Sequence, residues 1–294
     1  MADKNGQSQN SHKINLLKFM KNPVKIIGLV TLGILVAFGA FIWNWQRPII
    51  FFDESKIPKN LVTSMPVEFE RIYKVSKFRS EAGHNYSNTW NGETCRSMKH
   101  YINDGRNMDQ VTRMPISSFP TADQPNIKIF APFDGTITDI SSEQTPIGKQ
   151  VHVRSSLYPD YFARLFHIDL LPEFNKVGVK VASGQQIGTI GPKDGTDFSI
   201  EANILFKGPV LLSLFDEMTD AAFSPFAKMG FKREDFIISR EYRDAHPLKC
   251  GGGHNNEGFL RDQSYDFNSD FIFLKEDPFP NPGAKPVHIG PLQK

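Results

Sequence analysis

The residues best suited to chemistry begin with His84 and Asn88, which are four residues apart in the run GHNYSN. An imidazole can bind a metal ion or transfer a proton, and a side-chain amide donates and accepts hydrogen bonds. Both residues lie in segment 77–101, which is rich in His, Asn, Ser, Cys and aromatic residues and has no helical or alternating pattern. Such a composition is typical of a loop that forms a site. The alternative for His84 is a loop histidine bonded to the backbone.

A second group of candidates lies on two predicted strands. Asp197 and Glu201 are four residues apart in the alternating run DFSIEANIL, so in a strand they share one face, with Ser199 between them. His167 lies in the strand-like run YFARLFH. Carboxylates and imidazoles can act as general acids, general bases or metal ligands. The alternatives are solvated surface carboxylates and a structural histidine held by hydrogen bonds.

Short strands and turns must position these residues. Twenty prolines and 22 glycines, against 39% hydrophobic residues, favour a mainly β fold over a helical bundle. The run NIKIFAPFDGTITDI predicts a hairpin about Asp134-Gly135, and QVHVR and VGVKVASGQQIGTIG predict further strands. Segments 210–219 and 233–243 are helix candidates, and DFIFL at 270–274 predicts another strand.

An uncharged run at residues 26–43, IIGLVTLGILVAFGAFIW, predicts a transmembrane helix. Its 18 residues give about 27 Å of helix, which is close to the thickness of a hydrocarbon core. Lysines precede the run, and aromatic residues and an arginine close it, so the positive-inside tendency keeps the N-terminus in the cytoplasm and places the bulk of the chain in the periplasm or extracellular space. The flanking residues are Lys4, Lys13, Lys18, Lys21, Lys25, Trp43, Trp45 and Arg47.

A cleaved signal peptide is the competing interpretation of this run. The polar lead is long, the apolar run exceeds the usual length of about 7 to 15 residues, and no A-x-A cleavage site follows it. A buried core helix is the other alternative, and the basic and aromatic flanks argue against it. The expected organisation is a cytoplasmic basic tail (1–25), a transmembrane helix (26–43), a linker (44–75), a β domain (76–205) and a C-terminal extension packed on it (206–294).

The two cysteines, Cys95 and Cys250, both fall in the part predicted to lie outside the cytoplasm, where a disulfide can persist. A bridge between them would close a loop of about 155 residues and would stabilise the fold by several kcal/mol in the chain-entropy model. Two unpaired buried thiols are the alternative. Neither cysteine belongs to a C-x-x-C motif or to a Cys/His cluster typical of a metal site.

Five strand-like runs occur in a recognisable order over residues 126–204, namely APFDGTITDI, QVHVR, RLFHIDLL, VGVKVASGQQIGTIG and DFSIEANI, with GHNYSN upstream. This order resembles the core of the M23 peptidase family, the lysostaphin-type or LytM-like zinc endopeptidases of bacterial cell walls. The F-H-I of RLFHIDLL is similar to the family's Y-A-H-L strand. The resemblance implies a compact antiparallel β domain of the duplicated-hybrid type, which agrees with the strands predicted above.

The family's chemistry resides in the motifs H-x-x-x-D and H-x-H, which supply the zinc ligands and a catalytic histidine. By resemblance, His84 takes the position of the first ligand, but Asn88 replaces the aspartate. Asp197 replaces the catalytic histidine, and Ser199 replaces the ligand histidine. His167 takes the position of the histidine that assists the attacking water. Because neutral amide and hydroxyl oxygens are poor zinc ligands, we expect no ordinary zinc catalysis.

The first functional hypothesis is therefore a membrane-anchored, non-catalytic M23-like domain. It would bind cell-wall peptide or glycan, or an envelope protein, through the old substrate groove, and it would need no cofactor. Nucleic acid is not an expected partner, because the net charge is only +2 and charges of both signs are mixed along the chain. The groove residues implied by the resemblance are His84, Asn88, Ser199 and Glu201.

The second hypothesis is an active zinc peptidase of the cell envelope with an unconventional ligand set. His84 would remain a metal ligand, His167 and Asp197 would be catalytic, and further ligands would come from Glu201, His152 or His100. A membrane-fusion adaptor of a secretion pump is a weaker third interpretation. The chain between Gly135 and Gly184 has no room or heptad pattern for the coiled-coil hairpin of such an adaptor.

Overall fold

The computed structural model describes residues 23–46, 48–88, 91–103, 127–143, 148–190, 195–250, 259–260 and 267–275. The chain divides into two compact units, Met1–Pro48 and Ile49–Lys294.

The first unit contains helix α1, Pro23–Gln46, which includes the predicted helix at residues 26–43. Proline suits the first position of a helix because its missing N–H would have no partner there. The apolar side chains described in α1 are exposed, with Ile27 65% and Phe38 60% accessible. Among the described residues, no helix combines the length and hydropathy that a membrane span requires.

The second unit is built mainly from antiparallel strands, as the sequence predicts. The strands described are β1 Lys74–Ser76, β2 His100–Asn103, β3 Lys128–Phe130, β4 Gly135–Ser142, β5 Lys149–Ser155, β6 Tyr161–Leu170, β7 Lys180–Val181, β8 Gln186–Ile190, β9 Thr196–Ile204, β10 Gly208–Leu212, β11 Lys249–Cys250, β12 Phe259–Leu260 and β13 Phe271–Phe273. Helices α2, Asp220–Lys228, and α3, Arg240–Ala245, follow β10.

Eleven of the described strands form one sheet, and its centre is β9. The main path runs β13-β1-β2-β9-β6-β5-β4-β7, while β3 and β8 pair with each other and β8 also pairs with β6. One edge of β9 pairs with β6, and its other edge is shared by β2 in the first half and β10 in the second half. All of these pairings are antiparallel. Residues at β9 are therefore enclosed by strands on both sides.

The hydrophobic core covers one face of this sheet. Phe198, Ile200 and Ala202 alternate along β9 and are at most 1% exposed, so every second residue of the strand enters the core. The lead-in segment also contributes, because Leu61 and Val62 belong to the same core. The segment from residue 49 to β1 therefore packs against the sheet.

The helix predicted at residues 210–219 is wrong. This segment begins with β10, in which Val210 pairs with Ala202 and Leu212 with Ile200 of β9. Its local pattern was compatible with a helix, but antiparallel pairing with the preceding strand β9, across a short turn, decided the outcome. The neighbouring helix α2 begins after Thr219, whose hydroxyl accepts a hydrogen bond from the Ala222 N–H.

The structure agrees more closely with the predicted helix at 233–243 and the predicted strand at 270–274. Segment 233–243 contains a 3₁₀ turn, Arg233–Phe236, and the first part of α3. The predicted strand at 270–274 is present as β13, which pairs with β1.

The predicted disulfide is confirmed. Cys95 and Cys250 are bonded, with their Cα atoms 5.5 Å apart. The bridge joins the loop that precedes β2 to β11 in the C-terminal part of the chain. Arg96 adds an ion pair across the same junction, with Nη2 2.6 Å from Oδ1 of Asp244.

Candidate functional site

The polar face of the central sheet carries the predicted strand residues. Asp197, Ser199 and Glu201 alternate along β9 on the face opposite the core, and all are at most 1% exposed. On β6, Phe166 lies opposite Asp197, and Arg164 lies opposite Ser199. Because directly opposed residues in a sheet share a face, these five side chains form one continuous surface above β6 and β9.

Strand β2 and the residue immediately before it each add one side chain to this surface. Tyr101 lies opposite Asp197, and Lys99 is two residues earlier, so both point to the polar face. The Lys99 ammonium forms an ion pair with the Asp197 carboxylate, and both side chains are at most 2% exposed. Gly195 permits the close approach of the two strands, because a Cβ there would collide with the backbone of Ile102.

Three aromatic rings surround the Lys99 ammonium. Its Nζ lies 4.1 Å from the centroid of Phe166 and 4.9 Å from those of Tyr86 and Tyr101. The faces of these rings attract a cation. Burial lowers the pKa of Lys99, but Asp197 and Tyr101 raise the pKa by more, so it lies above its ordinary value. The ammonium therefore stays charged.

His84 contacts the same ammonium. Its Nε2 is 3.1 Å from Lys99 Nζ and its Nδ1 is 3.2 Å from the Asn85 carbonyl oxygen. Because Lys99 can only donate, Nε2 accepts and the ring hydrogen lies on Nδ1. Gly83, at φ +74°, packs against Tyr101 where a Cβ would collide with the ring. This close approach brings the His84 loop onto the sheet, so that the sequence-predicted His84 and Asp197 share Lys99.

His167 completes the group from the other side of Asp197. Its Nε2 is 3.0 Å from Asp197 Oδ1, and its Nδ1 is 2.8 Å from Glu143 Oε2. Burial lowers the pKa of His167, but hydrogen bonds and charge from Asp197 and Glu143 outweigh it and raise the pKa to about 9. His167 is thus an imidazolium held between two carboxylates. We call His84, Lys99, Glu143, His167 and Asp197 the Lys99 cluster.

A β-bulge directs His167 into this cluster. Val151 of β5 pairs with Leu165, whereas Lys149 pairs with Ile168, so β6 has one residue more than β5 in this interval. His167 lies at the bulge with φ +61°, an uncommon conformation for a residue other than glycine. Plain alternation would put His167 and Phe166 on opposite faces. The bulge allows both to contact the partners of Lys99.

The carboxylate of Asp197 contacts both cations of the Lys99 cluster, Lys99 and His167. Burial raises the pKa of Asp197, but the charges of Lys99 and His167 and their hydrogen bonds lower it below its ordinary value. Asp197 is completely buried. Two cations therefore flank one anion that has no access to solvent.

A second group of polar residues lies next to the first. The Glu201 Oε1 atom accepts hydrogen bonds from Ser199 and Tyr86, each 2.5 Å long. Arg164 donates from Nη1 to the Tyr86 hydroxyl at 2.9 Å and from Nε to His152 Nε2 at 2.7 Å. We call these five residues the Glu201 cluster. Tyr86 links it to the Lys99 cluster, because the same ring faces the Lys99 ammonium.

His152 is held in its neutral form. Burial lowers its pKa, and the charges of Arg164 and Arg154 lower it further, to about 3. Its Nε2 accepts from Arg164, so this nitrogen is committed to that hydrogen bond.

Two of the residues considered from the sequence lie elsewhere. His100 points to the opposite face of β2, where Nδ1 is 2.8 Å from the Ser76 carbonyl oxygen and Nε2 is 3.0 Å from Ser213 Oγ. Asn88 is buried, and its backbone N–H contacts Met98 Sδ at 3.4 Å. Among the contacts of the described residues, none joins either side chain to the Lys99 cluster.

The donor set does not fit a zinc ion. Zinc sites use imidazole, thiolate and carboxylate ligands, usually at least three from the protein. Here His84 Nε2 and the Asp197 carboxylate face the Lys99 ammonium, while the Ser199 hydroxyl bonds to Glu201. A divalent cation would be repelled by Lys99 and His167. Within the residues that the structure describes, no group of three or more His, Cys, Asp and Glu side chains is arranged to hold a metal.

The residues that sequence reasoning missed are Lys99, Tyr86, Glu143 and Arg164. Lys99 and Tyr86 lie within segment 77–101, which the sequence marks as site-forming, and Arg164 alternates with Phe162 and Phe166 in the run YFARLFH. The sequence therefore contained a signal for each of these three residues. Glu143 has no comparable signal, because its role depends on the bulge at His167.

No family model matches the chain. No curated protein matches it. Several solved structures are similar to parts of it. A chain from the SpoIIQ–SpoIIIAH pore-forming complex is 18% identical over 58% of this chain and 97% of that chain, with a TM-score of 0.35.

Two peptidases are also among the similar structures. Lysostaphin is 20% identical over 26% of this chain and 33% of that chain, with a TM-score of 0.23, so this chain spans about a third of lysostaphin's length. A zinc-containing peptidase from Vibrio cholerae is 15% identical over 52% of this chain and 39% of that chain, with a TM-score of 0.30.

Proposed function

We propose that this protein is a single-pass membrane protein whose extracytoplasmic β domain binds an envelope ligand without zinc-dependent hydrolysis. The ligand is cell-wall peptide or glycan, or an envelope protein. The membrane helix over residues 26–43, the cytoplasmic N-terminal tail and the M23-like identity of the domain belong to the same proposal. They rest on the hydrophobic run, its basic flank and the strand order in the sequence.

The observation that carries the proposal is the position of the Lys99 ammonium. It lies between His84 and Asp197, two residues that the resemblance aligns with a zinc ligand and a catalytic histidine. A permanent side-chain cation at this point supplies the positive charge that an ion would otherwise bring, but it cannot accept a water molecule as a ligand and activate it. The arrangement supports a domain that keeps the fold of a hydrolase and lacks its nucleophile.

Only part of the two clusters can meet a ligand. Ser199 and Glu201 are buried, whereas the side chains of Arg164 and His167 are 27% and 21% exposed. His84, Tyr86 and His152 are also partly exposed, but Arg164 and His167 are the cations among these residues. They favour ligands that offer carboxylate or carbonyl oxygens, which peptides of the cell wall carry.

The metal arm of the test uses the full chain, purified in detergent without chelators. We expect zinc content far below one ion per chain, and no hydrolysis of cell-wall peptides when zinc is added. One tightly bound zinc per chain together with chelator-sensitive hydrolysis would overturn the proposal and favour the unconventional peptidase.

The binding arm measures sedimentation of the same protein with purified insoluble peptidoglycan. We expect Arg164→Gln to weaken binding, because it removes an exposed guanidinium, while Arg233→Gln leaves binding unchanged. Arg233 is a matched control, with a side chain 23% exposed and an ion pair to Asp220. Equal loss in both variants would argue against this surface. Thermal unfolding of each variant verifies the fold. If peptidoglycan is not bound at all, a photo-reactive residue at position 164 tests for an envelope protein in cells.

A further inference from the structure

A separate cavity of about 250 Å³ lies beside β10. It shares no lining residue with the Lys99 cluster, and Tyr86, Arg164 and Glu201 do not line it. Its volume is just below the roughly 300–1,000 Å³ of sites for drug-sized ligands, so it suits a smaller molecule. Apolar side chains form much of its wall, including Phe78, Val210, Leu211, Leu212 and Ile237.

Glu217 is the first of two buried polar residues that line this cavity. Its side chain is only 2% exposed, and among the described residues its Oε2 has no hydrogen-bond partner. Lys59 Nζ is 3.8 Å from the other oxygen, beyond hydrogen-bond distance, and its side chain is 67% exposed. A buried carboxylate oxygen without a donor costs free energy. Glu217 is therefore available to a donor from a ligand.

Asn88 is the second such group. It is 2% exposed, it lines the same cavity, and within the described part of the chain its Oδ1 has no hydrogen-bond partner. The terminal torsions of Asn and Glu side chains have broad preferences, so a small rotation can turn either oxygen toward a bound molecule. Two buried acceptors in one cavity point to a ligand that donates hydrogen bonds.

The charges in the wall favour a cationic donor. Glu93 is neutralised by Arg79, with Nε 2.5 Å from Oε2, and by Arg96 at 3.1 Å. Among the ion pairs of the described residues, Asp216 and Glu217 both pair with Lys59, which is 3.8 Å from each and largely exposed. The cavity thus keeps an excess of negative charge around Glu217.

The ionisation of Glu217 agrees with this assignment. Burial raises its pKa, Lys59 lowers it, Asp216 raises it and Arg233 lowers it, which leaves the pKa at about 7. Burial raises the pKa of Tyr161, and the charges of Glu217 and Asp160 raise it further, to about 12. A ligand ammonium next to Glu217 would favour the ionised carboxylate.

We propose that this cavity binds a small primary ammonium group carried on a short apolar body, with Glu217 and Asn88 accepting its hydrogen bonds. The source of the ammonium is either a free amine or the amino terminus of a peptide. The site is independent of the function proposed above.

The test uses calorimetry on the full chain in detergent at pH 7.5, with four probes. 3-Methylbutylamine is compared with 3-methylbutanol, which has the same body and no charge. Leucinamide, a model of a peptide amino terminus, is compared with N-acetylleucinamide. We expect one or both amines to bind at least tenfold more tightly than the neutral partner, because only the ammonium donates charge-assisted hydrogen bonds to Glu217. Binding of the first amine alone assigns free amines, and binding of leucinamide alone assigns peptide termini.

Variants locate the binding site. Glu217→Gln keeps the shape of the side chain and removes the charge, so we expect at least a tenfold loss of amine affinity. Ile57→Trp fills the cavity from its partly exposed wall and should abolish binding without altering either polar group. Glu173→Gln, an exposed carboxylate outside the cavity, is the control and should bind normally. Thermal unfolding shows which variants remain folded. Equal affinity for amines and neutral analogues, no saturable binding, or binding unchanged in both cavity variants would refute the proposal.

Discussion

At the scale of single residues, Lys99 determines the character of the candidate site. It places a buried positive charge beside His84 and Asp197, inside three aromatic rings. Ion pairs in the interior are costly to break, because the remaining charge is left without a partner in a poorly solvating environment. The site therefore depends on the lysine for its stability as well as for its chemistry.

Replacement of Lys99 by methionine keeps most of the length of the unbranched side chain and removes its charge. We expect Lys99→Met to lower the free energy of unfolding by roughly 3–5 kcal/mol, measured by urea denaturation. The exposed Lys176 provides a control, and Lys176→Met should change stability by less than about 0.5 kcal/mol. The double variant Lys99→Met, Asp197→Asn should lose less than the sum of the two single variants. Similar small effects at Lys99 and Lys176 would show that the buried ion pair contributes nothing.

His167 gives the stability of the protein a predictable pH dependence. Its folded-state pKa of about 9 lies above the ordinary value of 6.5. The folded state therefore binds a proton more tightly than the unfolded state, and the resulting stability is fully present below about pH 6.5 and is lost as pH rises through 9. We expect at most about 3 kcal/mol to disappear over this interval. His167→Gln should flatten the profile there, whereas the exposed His246→Gln should not. Parallel profiles for wild type and His167→Gln would contradict the assignment.

At the scale of elements, the site is assembled from segments that are distant in the sequence. Strand β9 receives β6 on one edge and β2 on the other, and the bulge in β6 turns His167 toward Asp197. The loop before β2 is tied to the C-terminal part of the chain by the disulfide and by the Arg96–Asp244 ion pair. The C-terminal segment thus helps to hold the loop that carries Lys99.

The disulfide should therefore stabilise both the fold and this loop. We expect the double variant Cys95→Ser, Cys250→Ser to lower the free energy of unfolding by about 2–5 kcal/mol, since the bridge closes a loop of 155 residues. Mass analysis of the purified protein without reductant should find the two cysteine peptides linked. Two free thiols in that protein would contradict the bridge.

At the scale of the whole molecule, the chain combines a β domain with a separate apolar helix. Helix α1 belongs to its own compact unit, and its described side chains are exposed. In water, such a helix would expose a large apolar surface. The membrane anchor proposed above gives that surface an apolar environment.

The anchor proposal makes a direct prediction for the protein in cells. The mature chain should keep its N-terminal residues and should resist extraction from membranes by alkali, because under this proposal an uncleaved helix would span the bilayer. Replacing Leu29, Leu32 and Leu35 by lysine should release it. A mature N-terminus beyond Ala40, determined by mass spectrometry, would show instead that the segment is a cleaved signal.

Several features of the fold follow from local patterns in the amino-acid sequence. Its glycine-punctuated, alternating runs predicted the strands, because side-chain alternation is a local property of an extended chain. It also indicated that Asp197 and Glu201 share a face, and it left a single pairing for the two cysteines. The uncharged run predicted helix α1.

Tertiary structure decided what the candidate residues do. Strand pairing placed Lys99 beside Asp197, a bulge turned His167, and loop packing directed Asn88 into a different cavity. Pairing register and bulges arise from contacts between residues far apart in the chain, so no local pattern contains them. The sequence therefore pointed to His84 and Asp197 by resemblance, whereas only the folded chain showed that a lysine lies between them.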